Sequence, residues 1–173
     1  GVMVRPTIPR APETLSMSGA SGVWVICISG DQGIGMTGIS AYTHHFMYLN
    51  QIERSFSAAH ALDIGGVREP IHGHNWSVTV IVAGTSLDAD GLLVDFHALE
   101  RTIEGIIGRF HNQNLNTTPP FDQINPSAEL VAQYIAVQII PTLPMGVRVQ
   151  SVSVGEAPGC TATYINPFTG TER

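Results

Sequence analysis

The chain has 173 residues, 43% of them hydrophobic, and a formal net charge of -6. That length supports one good-sized core and therefore one domain. All eight positive residues are Arg, none forms a basic stripe, and lysine is absent, which argues against nucleic acid as a partner and excludes a side-chain Schiff base.

An anionic substrate would have to be met by single Arg side chains or by backbone N–H groups. Cys27 and Cys160 are far apart and suggest no secreted disulfide scaffold. No apolar run reaches membrane-spanning length, and residues 1–20 lack the apolar centre of a signal peptide. The expectation is a soluble cytoplasmic protein with free thiols and no membrane contact.

Residues 1–45 are rich in Gly, Ser, Thr and Pro, with one apolar island, "VWVICI", at 23–28. Gly33, Gly35 and Gly38 match G-x-G-x-x-G. A dinucleotide fingerprint also needs a helix after the loop. The stretch that follows, "ISAYTHHF", is short, β-branched and aromatic, so residues 1–45 are read as a glycine-rich extension that includes His44-His45.

A regular pattern begins at residue 46, and 46–173 is read as the folded domain. "FMYLNQIERSFSAAH" (46–60) predicts a strand. Residues 61–71, with Gly65-Gly66 and Pro70, predict a loop. "NWSVTVIVAG" (75–84) alternates, with Trp76, Val78, Val80 and Val82 on one face, and predicts a second strand antiparallel to the first.

"VDFHALERTIEGIIGRF" (94–110) places Phe96, Leu99, Ile103, Ile106 and Phe110 at helical spacing, with Asp95 as N-cap. His97 in its first turn is expected at the surface. "NPSAELVAQYIAVQII" (125–140) predicts a second helix, capped by Asn125, with Pro126 in its first turn and Pro141 ending it. Its expected apolar stripe is Leu130, Tyr134 and Val137.

"GVRVQSVSVGE" (146–156) predicts a strand whose apolar phase switches between Val149 and Val152, the mark of a bulge or a change of buried face. "TATYIN" (161–166) predicts a short last strand. The order ββααββ predicts an α+β fold, a four-stranded antiparallel sheet with two helices on one face. Open sheet edges point to an oligomer.

His72 and His74 stand two apart, so in extended backbone they point to one side, with Gly73 leaving space between them. If the first two strands pair, His60 at the end of "FSAAH" can join them. Three neutral imidazoles would make a zinc centre with an open position. H-x-H pairs also occur on exposed strands without metal, so spacing alone leaves both readings open.

The stretches "FSAAH" with "HGHNW", "GLLVDFHALE", "NLN", "NPSAELVAQYI" and "VGEAPGCTATY" follow one another over about residues 46–168. In that combination the chain resembles the 6-pyruvoyl-tetrahydropterin synthase / 6-carboxy-tetrahydropterin synthase family of tunnelling-fold pterin enzymes. The resemblance implies a Zn2+ ion on His60, His72 and His74, and a pterin ring held by Glu156. It implies that the sheets close into a barrel within a homo-hexamer of two stacked trimers, with sites at subunit boundaries.

The chain departs from the family pattern twice. The usual catalytic cysteine before H-G-H is absent, and Glu69 gives E-x-x-H-G-H instead. This resembles the branch in which glutamate replaces cysteine, associated with cleavage of the 7,8-dihydroneopterin triphosphate side chain to 6-hydroxymethyl-7,8-dihydropterin. The Asp-His pair expected before N-L-N is also incomplete. "RFHNQNLN" keeps His111 as the proton relay but has no aspartate beside it.

Glu69 and His111 are therefore the expected catalytic residues. Arg68 either meets a substrate phosphate or is a solvated loop residue. The alternatives to the lyase are a diverged synthase, and a zinc- and pterin-binding homologue with little catalysis.

Overall fold

The computed structural model describes residues 47–166. The apolar island at 23–28, the glycine motif, Cys27, His44-His45 and Phe46 lie outside the described residues. The first strand, β1 (Tyr48–His60), buries alternate residues toward its end, Ile52, Phe56, Ala58 and His60.

The connection predicted as a loop contains a small hairpin, β2 (Asp63–Ile64) and β3 (Val67–Arg68). Gly65 and Gly66 turn it with φ of +59° and +83°. Positive φ at both central residues is what a two-residue type I′ turn requires, and glycine meets it without a Cβ clash.

β4 (His72–Gly84) starts three residues before the predicted strand and so takes in both histidines. Its alternation holds: Trp76, Val78, Val80 and Val82 are all buried. β1 and β4 pair antiparallel in unbroken register, with Phe56 opposite Trp76, Ala58 opposite His74 and His60 opposite His72.

α1 (Phe96–Ile107) is shorter than its predicted span, and Asp95 caps it by accepting from the His97 N–H at 2.9 Å. Leu99, Ile103 and Ile107 face the core. Phe96 is exposed, and Phe110 is buried beyond the helix end. β5 (Gln113–Asn114) then runs parallel to β1 at Ala58 and Ala59.

α2 (Ala128–Ile139) is capped by Ser127, not by Asn125, and Pro126 lies before it rather than in its first turn. Its buried residues are Ala128, Val131, Ala132, Ile135, Ala136 and Ile139. The predicted stripe is corrected: Leu130 and Tyr134 are only partly buried and Val137 is exposed. Pro141 falls within a single 3-10 turn that follows the helix.

β6 (Val147–Ala157) pairs with β4, and β7 (Cys160–Ile165) pairs with β6. Val82 faces Val149 while Ile81 faces Ser151, so Gln150 is the extra residue of a bulge. Val149 and Val152 are thereby both buried, which explains the phase switch in the sequence.

The sheet order is β5-β1-β4-β6-β7, the four expected antiparallel strands with β5 added at one edge. The helices share one core with the apolar sheet face. Ser55, Ser77, Thr79, Ser153 and Thr163 line the other face. Among the described residues, no helix is long and apolar enough to cross a membrane.

Candidate functional site

The register of β1 and β4 puts three histidines at one end of the sheet. His60 and His72 are direct cross-strand partners, and His74 lies two residues further along β4 on the same face. The small Ala58 opposite His74 leaves room for the imidazoles. Ring centroids are 4.8 Å apart for His60 and His72, 5.2 Å for His60 and His74, and 4.9 Å for His72 and His74. One ring nitrogen from each can lie within 4.8 Å of the others.

The hydrogen bonds decide which nitrogens point inward. His60 Nδ1 donates to the Pro126 carbonyl at 2.9 Å, and His72 Nδ1 to the Pro70 carbonyl at 2.9 Å. A carbonyl only accepts, so Nδ1 carries the proton and Nε2 keeps its lone pair. His60 Nε2 and His74 Nε2 are buried with no hydrogen-bond partner. Burial holds the His60 pKa below its ordinary value, outweighing the Pro126 carbonyl and Glu156, which raise it. The neutral, ligand-competent ring is thus favoured.

Trp76 closes the inner side of the cluster, its ring edge-on to His60 at 4.8 Å and to His74 at 5.8 Å. Its Nε1–H donates to the Ala58 carbonyl at 3.1 Å, and Phe56 stacks on it. His60 and His74 therefore rest on a packed aromatic floor, while His72 is exposed and held by the Pro70 carbonyl.

Glu156, near the end of β6, sends Oε2 to 3.8 Å from His60 Nε2. That oxygen is buried and makes no hydrogen bond. A buried carboxylate oxygen without a donor is costly unless something supplies one.

Glu69 stands between β3 and β4. Its Oε2 accepts the Leu62 N–H at 3.2 Å, and its own N–H donates to the Leu62 carbonyl at 2.9 Å. It is tied two residues beyond His60 but is not a member of the histidine cluster. His111 is also outside the cluster. It is exposed beside β5, and its Nδ1 accepts the Ser57 N–H at 3.3 Å. An open groove of about 510 Å³ runs there, past His74, Asn75, Asn112 and Asn114. Arg68 pairs with Asp63 at 3.5 Å. His97 is exposed, as expected.

The fold therefore gathers His60, His72, His74 and Glu156, tethers Glu69 to the strand exit, and sets His111 at the sheet edge. The carbonyls of Pro70 and Pro126 orient two of the rings and carry no sequence signal, because any residue has a carbonyl. Three imidazole nitrogens in a compact set fit a four-coordinate zinc ion with one position left for water or substrate. The orphaned Nε2 atoms and the two carbonyl-held Nδ1 protons are what such an ion needs, the second being the usual outer support of a metal-bound histidine.

A helix-backed antiparallel sheet carrying an N3 donor set and an inward carboxylate makes a candidate metal centre open to a small molecule. The profile of the 6-pyruvoyl tetrahydropterin synthase family matches residues 50–167, and the chain belongs to that family of pterin-metabolising enzymes. It is 33% identical over 102 residues to the dihydroneopterin monophosphate aldolase of Pyrococcus furiosus, covering 59% of this chain and 83% of that protein. It is 31% identical over 98 residues to the 6-carboxy-5,6,7,8-tetrahydropterin synthase of Bacillus subtilis, covering 53% of this chain and 65% of that one. The crystal structure of 6-pyruvoyl tetrahydropterin synthase from Plasmodium vivax superposes with a TM-score of 0.59 at 22% identity, over 71% of this chain and 99% of that one. That likeness is one of fold.

Proposed function

We propose that the chain is a zinc-dependent pterin lyase that cleaves the side chain of 7,8-dihydroneopterin triphosphate to 6-hydroxymethyl-7,8-dihydropterin by a retro-aldol step. The observation that carries this reading is Glu69. A carboxylate, and no thiol, stands on the connection leading into the histidine-bearing β4, held by the Leu62 N–H.

His60 and His72 would hold zinc through Nε2, and His74 through its free ring nitrogen. When bound, the ion supplies Lewis acidity toward the side-chain hydroxyls. Glu156 accepts a ring N–H and the exocyclic amine of the pterin, a bidentate pattern suited to a carboxylate. Glu69 takes the proton of the hydroxyl on the second side-chain carbon. The bond between the first and second carbons breaks, and the second carbon leaves as an aldehyde. The electron pair stays on the first carbon, in conjugation with the ring, and the proton held by Glu69 is returned there. His111 serves as a second proton carrier at the sheet edge, without an acidic neighbour to orient it.

Two findings on relatives support the choice. The Pyrococcus furiosus relative is named an aldolase of dihydroneopterin monophosphate. Variants of the Plasmodium vivax protein replace a glutamate named as its catalytic residue by alanine or cysteine. The first also favours a second reading of the substrate, the monophosphate in place of the triphosphate. The working form is taken as a cytoplasmic homo-hexamer of two stacked trimers, with residues 46–173 as the pterin-enzyme domain and 1–45 as an extension. Exposed Ile165 on edge strand β7 is the kind of open edge that another subunit can pair with.

The test is incubation of zinc-loaded protein with each phosphate ester, followed by chromatography and mass analysis of the pterins. Appearance of 6-hydroxymethyl-7,8-dihydropterin supports the lyase. A pyruvoyl or carboxy product would assign the older synthase chemistry instead. Full activity in Glu69→Ala would remove Glu69 as the base.

A further inference from the structure

Three residues leave β1 after His60, and both backbone groups of each are engaged. The Ala61 N–H donates to Asn116 Oδ1 at 2.8 Å, and Asn116 Nδ2 donates to the Ala61 carbonyl at 2.8 Å. The Asp63 N–H donates to Asn125 Oδ1 at 2.9 Å, and Asn125 Nδ2 donates to the Asp63 carbonyl at 3.1 Å. Between them, Leu62 binds the Glu69 carboxylate through its N–H and the Glu69 N–H through its carbonyl.

A carboxamide offers one acceptor and one donor side by side, so each Asn pairs with a backbone residue as a neighbouring strand would. In extended chain, successive residues turn their N–H and C=O to opposite edges. Two asparagines thus hold one edge of 61–63, and the other edge is presented to Glu69.

We propose that Asn116 and Asn125 are positioning residues that aim the Glu69 carboxylate by holding Leu62. The inference rests on the reading of Glu69 as the base. Neither Asn is free to do something else locally. The helix-cap role expected of Asn125 belongs to Ser127, and Asn116 has its own N–H held by Asn114 Oδ1 at 3.1 Å. Asn125 also adjoins Pro126, whose carbonyl orients His60.

The experiment is a set of double-mutant cycles on the zinc-loaded full chain, with the phosphate ester turned over in the product assay. Asn116→Ala and Asn125→Ala are each made in the parent and in Glu69→Ala, and kcat, KM and bound zinc are measured. In the parent, each is expected to lower kcat by about tenfold with KM and zinc content held within roughly twofold. In Glu69→Ala, the same substitutions are expected to change the residual rate by less than roughly twofold. Equal losses in both backgrounds, or no loss in the parent, would overturn the positioning role and leave Glu69 as base untouched. A fully active Glu69→Ala would instead overturn the base reading itself. The Asn125 bonds are solvent-exposed, so Asn125→Ala decides by the same criteria if Asn116→Ala does not fold.

Discussion

His60 and His72 face each other across the β1–β4 ladder with ring centroids 4.8 Å apart, and each gives its Nδ1 proton to a prolyl carbonyl. The two carbonyls lie far apart in sequence, at Pro126 and Pro70, yet impose the same tautomer. Both Nε2 atoms are left with lone pairs, and a metal ion is the partner such a pair suits.

Replacing any of His60, His72 or His74 by Ala should remove zinc from the purified protein. Losing even an outer support of a metal ligand costs roughly 10–100-fold in affinity, so loss of a ligand should cost at least that. Metal analysis after dialysis, with titration of the stripped protein, checks this. Retention of one zinc per chain by all three variants would rule the cluster out as the metal site.

Acid should destabilise the metal-stripped protein. Burial holds the folded His60 pKa below its usual 6.5, so the unfolded chain takes up a proton first as the pH falls. This contribution to stability is therefore fully present above 6.5 and is lost as the pH falls through 6.5 toward the folded pKa. Thermal melts between about pH 8 and about pH 5 should show Tm falling on the acid side, and less so in His60→Phe. With zinc bound the fall should be steeper, because protons compete for the same nitrogens.

Glu69→Ala should reduce turnover by roughly 10²–10⁴-fold, the usual contribution of a positioned general base. Zinc content should not change, since Glu69 lies outside the histidine cluster. Single-turnover product analysis separates this from loss of binding.

Glu156→Ala should weaken pterin binding by about tenfold or more, the worth of one or two hydrogen bonds to a charged acceptor. Fluorescence titration with a non-reacting pterin reads it directly. Unchanged affinity would mean that the buried Oε2 serves the histidines rather than the ring.

Trp76→Ala should destabilise the fold by about 3–5 kcal/mol, as large aromatic truncations in cores do. Trp76 is fully buried, stacks on Phe56 and satisfies the Ala58 carbonyl. Because it also packs edge-on against His60 and His74, the variant should bind zinc more weakly at temperatures where it is still folded. Denaturant melts with and without zinc check both statements.

The elements that read most clearly from the sequence are those whose period is simple. Residues 76–80 alternate apolar and polar, and the structure buries Trp76, Val78, Val80 and Val82, with Ile81 the one apolar residue on the other face. The phase break between Val149 and Val152 corresponds to the bulge at Gln150. Helix faces were harder to read. α2 is apolar on most sides, so spacing could not choose between the Leu130, Tyr134 and Val137 side and the Val131, Ile135 and Ile139 side that packs inward. The short pairs β2, β3 and β5 are two residues each, too brief for any periodic signal.

The sequence by itself determined the strand period, and a period of two puts His72 and His74 on one side of β4. It also determined that a glutamate, and no cysteine, precedes them. Only the tertiary structure decided that His60 stands opposite His72, because cross-strand register depends on how the whole β1–β4 ladder aligns. It alone decided which ring nitrogens are free and how Asn116 and Asn125 grip the strand exit. Those are contacts between backbone and side chains 55 to 66 positions apart, and local propensity carries no information about them.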